Sequence, residues 1–107
     1  MDYNDQQNIE ELVLLIMSSF ESLSEDPDTN IMINTMVEGC KKVNVNISPD
    51  DAVHAILSGI SYKCCKLIDP DVTQETSDTF CEIINESEPQ FMSQVRTDLI
   101  KRISRII

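Results

Sequence analysis

The sequence predicts an all-α protein, a single compact bundle of four to five helices spanning residues 1–107. Three observations lead there. Apolar residues recur at intervals of three and four in five separate segments. Only two Gly and four Pro occur, too few turn formers for a many-stranded sandwich or barrel. One segment alone, Val43-Asn44-Val45-Asn46-Ile47, alternates as a strand does, and no second strand pattern exists to pair with it.

The first helix is marked by Ile9, Leu12, Val13, Ile16, Phe20 and Leu23. Leu14, Leu15 and Met17 widen its apolar arc, which predicts a central position. Asn8 followed by Glu11 has the form of a capping box with Asn as the cap. The segment ends near Ser24, before Asp26-Pro27-Asp28. A second helix starts at Asp28 or Thr29 and carries Ile33, Met36, Val37 and Cys40. Lys41 and Lys42 suit its C-terminus. The alternating segment at 43–47 reads as an extended connector whose apolar side chains pack on the helices.

Ser48-Pro49-Asp50-Asp51 is the strongest local signal. Ser accepts from orphan amides, Pro fits the first helical position, and acids favour the positive end of the dipole. The third helix carries Val53, Ile56, Leu57, Ile60, Cys64 and Leu67 and stops at Asp69-Pro70. Val72, Thr76, Phe80, Ile83 and Ile84 mark a fourth, polar helix. Pro89 opens a fifth, with Met92, Val95, Leu99, Ile103 and Ile106 as its stripe. A partial repeat relates Ser19-Phe20 with Asp26-Pro27-Asp28 to Ser61-Tyr62 with Asp69-Pro70-Asp71. Two similar helical hairpins would explain it, and so would chance in a helical chain.

At 107 residues and 41 % hydrophobic content the chain can bury one core. Aromatic residues are only 5 %, so Ile, Leu, Val and Met must build that core. No apolar run reaches the length of a membrane span. The longest, Leu12 to Met17, follows Glu10-Glu11, where a secretory signal would carry bases. The expectation is a cytoplasmic protein with four free thiols. Its wealth of Ile, Asn, Ser and Asp is compatible with an AT-rich genome such as those of many phages and viruses.

Several chemistries are weighed and set aside. Asp26-Pro27-Asp28-Thr29-Asn30 opens like a calcium loop, but Ile31 and Val37 stand where that loop needs Gly and Glu. Asp69-Pro70-Asp71 fails in the same way, so both read as Asp-Pro turns. Cys40, Cys64 and Cys81 fall on or beside apolar stripes. Adjacent Cys64 and Cys65 diverge by about 100° on a helix, and no C-x-x-C pair exists. Cysteine packing is favoured over zinc, with Cys65 the best candidate for an exposed thiol. His54 lies beside the apolar face of the third helix, with Asp50 and Ser58 at four-residue spacing. No phosphate-binding loop, nucleophile elbow or dinucleotide motif is present. The expectation is no enzyme, no metal and no cofactor.

The most informative feature is charge. The net charge is −11, and sixteen of nineteen acids lie in residues 1–40 and 69–88, which contain no base. Arg96, Lys101, Arg102 and Arg105 make the last segment basic. Such a chain is ill suited to bind DNA or RNA directly. It is suited to occupy a basic surface on a partner protein, as an inhibitor or neutralising protein does, for instance over a nucleic-acid-binding site. The expected contact residues are Glu21, Glu25, Asp26 and Asp28 in one cluster and Asp71, Glu75, Asp78 and Glu82 in the other. Two rival readings are an assembly protein acting as a homo-oligomer and a bundle with a small-ligand pocket between helices.

Overall fold

The computed structural model describes residues 6–23 and 25–106. They form five helices, with no strand among the described residues: α1 (Gln6–Ser22), α2 (Asp28–Lys42), α3 (Pro49–Ile68), α4 (Gln74–Ser87) and α5 (Pro89–Ile106). The protein is all-α. No described helix is long and apolar enough to cross a membrane.

α3 is the axis of the structure. It starts as the sequence predicts, with Ser48 Oγ accepting from the Asp51 amide at 3.2 Å and Pro49 at the first helical position. Its buried side chains, among them Val53, Ile56, Leu57, Cys64 and Cys65, face more than one neighbour, and it packs on α1, α4 and α5. α4 runs antiparallel to it. Ser61 Oγ donates to the Ser77 carbonyl at 2.8 Å, Ser58 Oγ to Asp78 Oδ1 at 2.7 Å, and Cys81 Sγ to the Leu57 carbonyl at 3.7 Å. As numbers rise along α3 they fall along α4. Thr73 caps α4, its Oγ1 accepting from the Thr76 amide at 3.2 Å.

α5 closes the core with Met92, Val95, Leu99 and Ile103, all buried. Its polar face is tied down as well. Arg96 donates to Asn85 Oδ1 on α4, and Arg102 donates to the Leu23 carbonyl just past α1. That carbonyl also accepts from buried Thr29 Oγ1 at 2.9 Å. A helix C-terminus leaves carbonyls unsatisfied and carries partial negative charge, so a cation and a hydroxyl there meet a real need. α5 is thus a core helix; Arg96 and Arg102 turn toward the rest of the bundle, while Lys101 and Arg105 are exposed.

Several expectations need correction. Asn8 lies inside α1, not at its cap; Gln6 and Gln7 reach Glu10 and Glu11 one turn on. The connector after α2 does not pack as a whole. Val43 and Val45 are exposed, and only Ile47 reaches the core. The reason is a turn that the sequence reading missed. Asn44 adopts φ 57°, the Val45 amide donates to the Cys40 carbonyl at 2.9 Å, and the Asn44 amide donates to the Lys41 carbonyl at 3.1 Å. This is a Schellman motif, and Asn is a common non-glycine residue in its left-handed position. Leu67, placed on the α3 stripe, is 75 % exposed. Cys65, expected outside, is fully buried. The two proposed hairpins also differ: α3 and α4 pack closely, whereas α1 and α2 scarcely touch.

Burial, with the neighbouring Cys64 thiol adding to it, pushes the Cys65 thiol from 9.0 up to about 11. At pH 8 only about one molecule in a thousand then carries the reactive thiolate. A thiol reagent at pH 8 should modify half-buried Cys40 first and leave Cys65 intact until the protein unfolds; peptide mapping reads the order. Leu99 is 1 % exposed at the centre of α5. Leu99→Ala should lower stability by about 2–5 kcal/mol in urea unfolding.

Candidate functional site

The charge clusters are built on helix corners. In the first corner the Asp26 carboxylate accepts the Asp28 amide at 2.9 Å, and in the second Asp69 accepts from Asp71 at 3.1 Å. These are the Asp-Pro turns read from sequence, with the aspartate bonding its own backbone two residues on. Ser19 Oγ and Cys64 Sγ lie 3.4 Å apart, so the ends of α1 and α3 sit side by side. The two acidic corners lead out of these neighbouring helix ends.

Glu21, Glu25, Asp26 and Asp28 are all exposed around the first corner. Glu21 and Glu25 border a hollow of about 230 Å³ floored by Phe20, Leu23, Phe91 and Val95. The second predicted cluster does not stay together. Asp71 and Glu75 are exposed at the α3–α4 corner. Asp78 and Glu82, one and two turns farther along α4, instead line a cleft between α3, α4 and α5. That cleft holds about 310 Å³, more than the hollow beside the first corner.

Three helix faces with four-residue spacing make its walls: Asp50, His54 and Ser58 on α3; Asp78 and Glu82 on α4; Met92, Arg96 and Ile100 on α5. Val53 and Leu57 add apolar surface from α3. Asp78 is the best-held polar group here. Its Oδ1 accepts from Ser58 Oγ at 2.7 Å and from Gln74 Nε2 at 2.9 Å. Gln74 Nε2 also lies 3.0 Å from Ser58 Oγ and 3.2 Å from Ser77 Oγ. The Ser58 and Gln74 hydrogen bonds, with a smaller contribution from His54, hold the Asp78 carboxyl below its ordinary 3.8.

The sequence reading missed this convergence. It had the spacing of Asp50, His54 and Ser58, and it had Asp78 and Glu82 as acids, but nothing in a single sequence says which helix faces meet. Arg96 was read only as part of a basic tail. The structure places it across the cleft, bonded to Asn85.

In chemical capacity the site offers carboxylates, one guanidinium and an apolar floor. Comparison with known proteins gives no matching family model, no matching curated protein and no matching solved structure.

A depressed folded-state pKa stabilises the fold above the unfolded value and loses that contribution as pH falls through it. Asp78 should therefore support stability at pH 7 and lose that support as the pH falls below 3.8. Thermal melts of wild type and Asp78→Asn should differ more at pH 7 than at pH 3.

Proposed function

We propose that this chain is a non-enzymatic interaction protein that docks its acidic end on a basic surface of a partner protein. The observation that carries the reading is that both acidic corners lead out of helix ends in contact with each other, α1 and α3 meeting at Ser19 and Cys64. Glu21, Glu25, Asp26, Asp28, Asp71 and Glu75 are all exposed at or beside those corners. Concentrating like charge costs stability through self-repulsion. A cationic partner relieves that repulsion and gains fast, oriented encounter in return. An inhibitor that covers a nucleic-acid-binding site would have this form.

A second reading, self-association, draws on exposed apolar side chains. Leu14 on α1 and Ile31 on α2 are 63 % and 64 % exposed. Native mass in dilute solution separates the two readings, since partner binding needs no second copy of this chain.

The test uses association kinetics with the protein that co-purifies from the native host. Charge reversal at Glu25, Asp26 and Asp28, or at Asp71 and Glu75, should slow association about tenfold or more at low salt. Raising salt to 1 M, where screening shortens to about 3 Å, should slow the wild type to the same rate. A rate indifferent to both charge reversal and salt would refute acidic docking. Asp78 and Glu82 are left intact in these variants, so the cleft is not perturbed.

A further inference from the structure

The α3–α4–α5 cleft has a composition that selects one kind of guest. Its volume of about 310 Å³ lies at the small end of the ~300–1,000 Å³ range of small-molecule sites. Val53, Leu57, Met92 and Ile100 give it an apolar floor. Asp50, Asp78 and Glu82 set three carboxylates on its walls against the single guanidinium of Arg96. His54 stands beside them on α3, and the carboxylates outnumber the basic side chains of the lining.

The state of Asp78 sharpens the selection. Both of its hydrogen bonds, from Ser58 and Gln74, fall on Oδ1. Oδ2 takes no hydrogen bond from another described residue. Arg96, across the cleft, already has its guanidinium bonded to Asn85, which also lines the site. An anionic guest would be repelled by the carboxylates. A neutral apolar guest would strip water from them without replacing its hydrogen bonds. A cation with an apolar body satisfies both halves of the site, with charge-assisted bonds at the wall and burial at the floor.

We infer that this cleft binds a small organic cation, an amine carrying an apolar ring or chain, with Asp78 and Glu82 receiving its charged head. One inserted lysine side chain from a partner protein would fill little of the volume, which favours a free small molecule. This site is separate from the corner acids and does not depend on the docking of a partner protein.

The probe is cyclohexylmethylammonium, titrated into the ¹⁵N-labelled chain at pH 7 and followed by amide chemical shifts. Cyclohexylmethanol and cyclohexanecarboxylate serve as neutral and anionic matches. The ammonium should give saturable shifts centred on Val53, Leu57, Met92 and Ile100, and the other two should bind at least about tenfold more weakly. Glu82→Gln, on an exposed position that leaves the core untouched, should weaken the ammonium about tenfold, as should Asp78→Asn. Asp71→Asn, at the corner and outside the cleft, should leave it unchanged. The inference is overturned by absence of saturable shifts, by equal binding of the carboxylate, or by shifts that map to the corners. It is equally overturned if Asp71→Asn weakens binding as much as Glu82→Gln.

Discussion

The contact on which the rest of this structure depends is the close approach of α3 and α4 through two serines. Ser61 and Ser77 are both fully buried. A buried hydroxyl without a partner is costly, so each must find an acceptor. Ser61 donates to the Ser77 carbonyl, and Ser77 donates back to the Gln74 carbonyl at 2.9 Å. Small side chains on both faces let the helices approach, and the bonds fix their register. Once that register is set, Asp78 must lie at Ser58 and Cys81 at the Leu57 carbonyl. The mouth of the cleft follows from the same alignment, because α5 is led back from α4 by the turn at Glu88.

The arrangement also explains how so acidic a chain uses its few bases. Arg96 and Arg102 are not spread over the acidic surface as counter-charges. They satisfy an amide oxygen and a backbone carbonyl, at Asn85 and Leu23. The ion pair of Lys41 with Glu38 at 3.6 Å joins two exposed side chains, and such pairs contribute little. The fold therefore rests on apolar burial and hydrogen bonding, and the acid surplus is left on the outside.

Much of the fold was legible because it rests on local rules. The Ser48-Pro49 start of α3 needs only side-chain reach and a fixed φ, and both are properties of adjacent residues. The α5 stripe is a matter of period, and Met92, Val95, Leu99 and Ile103 are buried as that period requires. Misreadings arose where burial depends on neighbours. Cys65 lies one position from the apparent α3 stripe, yet α3 is contacted on several sides, so its buried arc is wider than one stripe. Val43 and Val45 look like packing residues until Asn44 turns the chain through a left-handed step. For the site, the acids were visible as acids. That Asp78 and Glu82 face α3 and α5 while Asp71 and Glu75 remain at the corner is a fact of helix pairing, which a single sequence does not encode locally.

The Leu23 carbonyl, shared by Thr29 and Arg102, ties together residues 79 positions apart in the chain. Closing a loop of that length costs about 4 kcal/mol in chain entropy beyond a fixed initiation penalty. The α3–α4 pair is joined by contacts only 16 to 24 residues apart in sequence and can form before that cost is met. The clasp at the α1–α2 corner can close only once the end of α5 is in place. Cooperativity then centres on α3, which packs on α1, α4 and α5, while the α1–α2 corner opens locally through release of that one clasp.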